Sequence, residues 1–214
     1  MKKQLVMWGA TGQAIVLEEF MTRQGYELVG LYDRNSKIKP PFTDIPLFSD
    51  KEAFFSFING MEIYFVVAIG GSRGIDRREI MNILISKGCH PVTAIHPSSY
   101  VACNAIVGEG SQILMNCAVA ARTILGRAVI INTAASVDHE CILEDGVHIG
   151  PGARLAGCVQ IGQNTFIGTG AIILPRIKIG ENSIIGAGSV VTKNIVPNCI
   201  AFGNPAKVVK NLAI

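Results

Sequence analysis

Residues 143–178 read LEDGVH IGPGAR LAGCVQ IGQNTF IGTGAI ILPRIK when written in sixes. Each six opens on Leu or Ile, and each carries Val, Ala, Thr or Ile at its fifth place. The frame extends in both directions with no residue inserted or lost. From Val101 to Val196 it covers sixteen sixes, all beginning with Val, Ile or Leu and all with Ala, Ser, Thr, Cys, Val or Ile at position five. The second place is most often Gly or Ala. No α-helix buries one residue in six. The period fits short flat strands joined by tight turns, each strand sending one aliphatic side chain to a central axis. Three sixes would close one triangular coil of about eighteen residues, so a little over five coils are expected, stacked so that each buries its neighbour. Gly, Asn and Pro at the corners suit the unusual backbone angles required there.

Upstream of residue 96 the pattern changes. Strand-like runs at Gln4–Trp8, Glu27–Tyr32 and Glu62–Ile69, with a fourth at Pro91–Ile95, alternate with amphipathic segments at Gly12–Arg23, Asp50–Phe57 and Arg73–Lys87. Alternation of this kind predicts a small parallel, Rossmann-like α/β sheet. His96-Pro97-Ser98-Ser99 reads as the linker, which divides the chain into an α/β domain over 1–96 and an all-β β-helix over 97–214.

Composition narrows the function. A net charge of +3 spread over 214 residues argues against nucleic acid. No run approaches the roughly 18 apolar residues of a membrane span, and the N-terminus lacks a small-residue cleavage site, so a cytoplasmic protein is expected. Six cysteines show neither a CxxC pair nor zinc-ligand spacing, so free structural thiols and no metal site are expected.

Two of the four histidines fall inside the array. His139 holds the third place of its six, an outward-facing turn position. Gly157 follows eighteen residues later, one coil further along the same edge. An imidazole above a backbone amide provides two parts that acyl transfer from a thioester needs. The ring takes a proton from the incoming amine or hydroxyl, and the N–H holds the developing oxyanion. Glu140 beside the histidine can fix its tautomer, with Asp138 as the competing partner. A zinc hydratase on a β-helix needs three converging histidines, and the array has two.

In the first half, Gly9-Ala10-Thr11-Gly12 ends the first strand and opens a helix, a turn whose N–H groups can hold a diphosphate. Asp33 and Arg34 end the second strand, where an acidic residue often meets a ribose or base. The dinucleotide pattern G-x-G-x-x-G is absent, which argues against NAD.

The array, with its terminal Gly203-Asn204-Pro205-Ala206-Lys207, resembles the hexapeptide acyltransferases, which implies a left-handed β-helix and a homotrimer. Ser136–Cys141 followed by His148–Ala153 resembles the branch that acetylates nucleotide-linked amino sugars and sialic acids. That resemblance implies His139 as base, Glu140 as its enhancer, and His148 and Gly157 at the acetyl end of acetyl-CoA, with Thr169 and Ala187 along the cofactor between subunits. It also implies that the α/β domain binds a nucleotide-sugar. The branch's glycine loop, commonly Gly-x-Gly-Gly-His-Gly, stands here as Gly9-Ala10-Thr11-Gly12-Gln13-Ala14, with Gln13 in the histidine's place. The later loop reads Ala68-Ile69-Gly70-Gly71-Ser72 rather than the usual Gly-Asn-Asn form. Gly9, Gly12, Gln13, Asp33, Arg34 and Gly70 are therefore the expected acceptor contacts. The expected activity is N-acetylation of a UDP-linked 4-amino-sugar, of the bacillosamine type. O-acetylation of a sialic acid and a non-catalytic nucleotide-sugar-binding scaffold are the alternatives.

Overall fold

The computed structural model describes residues 2–212. The α/β domain is a five-stranded parallel sheet of β1 (Lys3–Trp8), β2 (Tyr26–Tyr32), β3 (Leu47–Phe48), β4 (Ile63–Val67) and β5 (His90–Pro91), in the order β3-β2-β1-β4-β5. Helices α1 (Gly12–Met21), α2 (Lys51–Ile58) and α3 (Gly74–Ser86) connect the strands. Strand order reverses between β1 and β4, so the loops after these strands diverge and leave a crevice, the usual ligand position in such sheets. The two-residue β3 is absent from the sequence reading because it is too short for alternation to register.

The rest of the chain is a left-handed parallel β-helix with three faces. The first face starts at Ala94–Ile95, the second at Tyr100–Val101 and the third at Ile106–Val107. Strands recur every eighteen residues, as in Ile130↔His148, Ser136↔Arg154 and Ile142↔Gln160. The first place of each six points inward, and Ile113, Ile131, Ile149, Ile167 and Ile185 form a column with no solvent exposure. Burial of that kind contributes about 1.5–3 kcal/mol per side chain. Polar fifth-place residues inside the wall find carbonyls on the next coil: Ser111 Oγ donates to Gly126 O (2.9 Å), Thr123 Oγ1 to Asp138 O (2.9 Å) and Thr165 Oγ1 to Gly180 O (2.7 Å). Every fourth place from Gly110 to Gly188 has positive φ, including Arg122, Glu140 and Cys158 at 59°, 57° and 62°.

Two boundaries differ from the sequence reading. The run at Pro91–Ile95 is split: His90–Pro91 belongs to the α/β sheet, whereas Ala94–Ile95 pairs with Gln112–Ile113 in the β-helix. His96-Pro97-Ser98-Ser99 is therefore the helix's first corner. Its polar residues resemble a linker but cap the next coil, with Ser98 Oγ accepting from Asn116 N and Ser99 Oγ donating to Leu114 O. At the far end, Ile195 bridges Ile179 and Ile184 pairs with Ile200, a spacing of sixteen. The last coil is thus two residues short, and Pro197 seats against Gly180, where a side chain would collide. An antiparallel strand, Ala206–Asn211, then covers Cys199–Gly203.

The α/β domain sits on the first face. Outward-pointing Gln112, Ile130 and His148 are buried there, at 1%, 0% and 3% exposure, while the equivalent Ile106, Ile124 and Ile142 of the third face are 61%, 42% and 41% exposed. Arg77 of α3 crosses this seam fully buried. Its guanidinium donates to Ala128 O and Gly146 O on the β-helix (3.2 and 2.6 Å) and to Ile69 O and Gly71 O on the loop after β4 (3.3 and 3.4 Å). Burial lowers its pKa to about 10, so it remains charged at neutral pH.

Candidate active site

His139 lies at the corner between the second and third faces, with its side chain 53% exposed. Three neighbours hold it. Asp138 Oδ1 accepts from the His139 backbone N–H at 2.7 Å, so the competing carboxylate shapes the turn rather than the ring. Glu140 Oε2 lies 3.1 Å from Nδ1. A carboxylate can only accept, so Nδ1 carries the proton and Nε2 keeps a lone pair for an incoming donor. Gly157 lies directly beneath: a Cβ there would be 2.5 Å from Nε2. Among the described residues the Gly157 N–H has no hydrogen-bond partner. The stacking expected from the eighteen-residue period is present, and it places a proton acceptor next to an unused backbone donor.

The crevice at the carboxyl ends of β1, β2 and β4 has a volume of about 430 Å³ and is lined by Gly9, Asp33, Arg34 and Gly70 of the expected acceptor contacts. Gly9 is obligatory: its φ is 108°, and a Cβ would lie 2.4 Å from Ala68 O. Asp33 is partly committed to the loop, since its two oxygens accept from Ala10 N (3.1 Å) and Asn35 N (3.0 Å). Trp8 and Tyr32, with ring centroids 4.0 Å apart, form an aromatic wall that the sequence reading missed. Arg34, Lys51 and Arg73 bring cations to the crevice, facing the carboxylates of Asp33 and Asp76, the latter paired with Arg73. The positions of Lys51 and Arg73 at the starts of α2 and α3 were the available signal, because a helix N-terminus opening on a crevice favours anions.

Gly12 and Gln13 do not line the crevice. The Gln13 amide instead donates to Gln112 Oε1 at 2.7 Å, and Gln112 donates to Val67 O at 2.8 Å, a polar relay across the domain seam. A glutamine in the family's histidine position therefore serves docking between the domains here. Sequence alone gives no sign of a partner 99 residues away.

His148 is also in the seam, apart from His139. Asn132 Oδ1 accepts from Thr133 N at 2.8 Å, which directs the Asn132 Nδ2 donor toward His148 Nε2 at 3.1 Å. His148 Nδ1 then donates to Gly71 O at 3.1 Å. Burial, followed by the charge of Arg77, pushes its pKa down to about 3, with the Gly71 carbonyl opposing weakly. The ring is neutral, and both nitrogens are occupied. Its edge touches the acceptor crevice, since a Cβ on Gly70 would lie 3.7 Å from His148 Cε1. Thr169 and Ala187 are exposed, stacked one coil apart at the corner between the first and second faces, and within one chain they do not share a site with His139.

With this geometry in place, the comparisons identify the lineage. Residues 158–193 match the family model for the bacterial transferase hexapeptide, six repeats. The acetyltransferase domain of PglB from Neisseria gonorrhoeae FA1090, in complex with acetyl coenzyme A, is 30% identical, with 98% of this chain and 100% of that one covered at a TM-score of 0.88. The chain belongs to the hexapeptide-repeat transferase family. PerB from Caulobacter crescentus, in complex with CoA and GDP-perosamine, is 32% identical to this transferase over 97% of both chains, with a TM-score of 0.88. A curated relative, GDP-perosamine N-acetyltransferase of Escherichia coli O157:H7, is 34% identical over 101 residues. That match spans 47% of the transferase and 45% of the relative.

Proposed function

We propose that this transferase moves the acetyl group of acetyl-CoA onto the amino group of a nucleotide-linked 4-amino-sugar. The observation that carries the reading is His139, with Glu140 on Nδ1 and Gly157 beneath Nε2, in a chain that aligns end to end with PerB and the PglB domain. In this reading the acceptor's nucleoside diphosphate occupies this crevice with its phosphates near Arg34, Lys51 and Arg73. The amine attacks the thioester carbonyl, His139 Nε2 takes the amine proton, and the Gly157 N–H holds the oxyanion until CoA thiolate leaves. Glu140 stabilises the imidazolium formed in this step. Most of the acceleration comes from alignment, because amines attack thioesters readily once positioned.

The acting unit is a trimer with the site between subunits. Two features support it: the exposed stripe of Ile106, Ile124 and Ile142 on the third face, and the separation of Thr169 and Ala187 from His139 within one chain. Sedimentation should give three times the monomer mass. Among the described residues no helix is long and apolar enough to cross a membrane, and a reaction supplied by acetyl-CoA and a nucleotide-sugar fits the cytoplasm. In the wild-type structure His148 acts from the seam by holding the loop that bears Gly70, with no free nitrogen for the acetyl group.

The test is thiol release from acetyl-CoA against UDP- and GDP-linked 4-amino-sugars, with sialic acid and His139→Ala as controls. Release with an amino-sugar, lost in the variant, is the expected result. The panel also separates the UDP carrier favoured by the sequence from the GDP carrier that PerB binds. Release with sialic acid alone would move the assignment to O-acetylation, and no release across the panel would leave a binding scaffold.

A further inference from the structure

The eighteen-residue period brings a third metal-ligand type to the His139 corner. Cys158 occupies the fourth place one coil after Glu140, with positive φ and partial exposure. A nitrogen of His139, a carboxylate oxygen of Glu140 and the Cys158 sulfur all lie within 4.8 Å of one another. We propose that these residues bind a thiophilic divalent cation of the zinc type, and that its occupancy silences the site. The inhibitory half of this proposal rests on His139 being the base; the binding half does not.

Imidazole, thiolate and carboxylate together suit zinc, which takes them at about 2.0–2.3 Å in a tetrahedron with water in the fourth place. Hard cations such as magnesium prefer all-oxygen sites. Tetrahedral bonds of that length put ligand atoms about 3.5 Å apart, so small rotations of two half-exposed side chains close the set. The surrounding charges are mixed. Arg122 Nη1 lies 3.8 Å from the other Glu140 oxygen, Asp138 is hydrogen-bonded to the His139 N–H, and Arg176 follows one coil beyond Cys158. On binding, Cys158 releases its thiol proton to solvent.

Either mode of imidazole coordination removes the base. A cation on Nε2 occupies the lone pair directly. A cation on Nδ1 displaces the proton shared with Glu140 and leaves the neutral ring with its hydrogen on Nε2, which becomes a donor. Zinc-ligand spacings sought along the sequence pass over this set, because stacking across coils, not a short loop, brings Glu140 and Cys158 together.

The test uses the full chain under reducing, oxygen-free conditions, with Co²⁺ as the spectroscopic probe and Zn²⁺ as competitor. One Co²⁺ per chain should give a thiolate-to-cobalt charge-transfer band that Zn²⁺ abolishes. The band should vanish in Cys158→Ala and persist in Cys103→Ala. Cys158→Ala should fold, since Ala128 and Ala134 hold the same place at φ 55° and 56°. Buffered Zn²⁺ should inhibit acetyl transfer by the wild type, and Cys158→Ala should need at least about tenfold more. Absence of the band in the wild type, its survival in Cys158→Ala, or equal zinc sensitivity of the two enzymes would overturn the proposal. Loss of all transfer activity with the band intact would count against the enzyme reading and leave the metal site standing.

Discussion

Two histidines nine residues apart experience opposite environments. His139 stands half exposed at an open corner, held by one carboxylate and placed over a glycine. His148 is buried under the α/β domain, neutral, with a carbonyl on one nitrogen and an amide on the other. Both point outward, His139 from a corner and His148 from a strand of the first face. They differ in place within the repeat and in cover, since the α/β domain lies over the first face alone. A repeat sets the direction of a side chain, and place and cover together determine whether an outward histidine stands open to solvent or fastens two domains.

The contrast is broken most directly at His139. His139→Ala should lower kcat by about 10²–10⁴, the usual contribution of a general base, with the melting temperature unchanged; equal activity in the variant would make the corner ornamental. Gly157→Ala should come next. Its new methyl must push the ring aside, and misplacement of about 1 Å costs roughly 10² in rate, which steady-state kinetics would read with the fold intact by circular dichroism.

His148→Ala should behave in the opposite way. It leaves Gly71 O and Asn132 Nδ2 without a partner in a buried seam, which costs about 1–3 kcal/mol. Denaturant titration should show that loss, with KM for the nucleotide-sugar rising more than kcat falls. Near neutral pH the smallest effect is a pH dependence. Above the ordinary histidine value of 6.5 the ring is neutral in both folded and unfolded chains. As pH falls from there toward about 3 only the unfolded chain takes up the proton, so stability should fall across that window. The slope should be shallower in His148→Phe, and an identical slope would show that other groups carry it.

The sixes made the β-helix legible, along with the stacking of His139 on Gly157, because both follow from counting. What counting could not reach depended on contacts between the halves. Gln13 reads as part of a phosphate loop, yet its partner is Gln112. His148 reads as a cofactor contact, yet the loop after β4 covers it. His96–Ser99 reads as a linker because Pro and Ser favour breaks, although Ser98 and Ser99 are caps for the next coil. Cys158 was treated by spacing rules suited to loops, when its neighbours lie a full coil away.

The seam fixes the α/β domain to particular rungs, through Gln112, Ala128 and Gly146, and His139 sits on a rung of the same ladder. Each coil adds one strand separation, about 4.8 Å. The distance from crevice to base is therefore set in whole rungs rather than continuously. Arg77 reaches Ala128 O and Gly146 O, which lie on successive coils on either side of His139 in the chain, so a coil inserted beside His139 would break the seam. The clamp that joins the two domains therefore also fixes the rung on which His139 stands, and coils can be added or lost only beyond it, toward the C-terminal end.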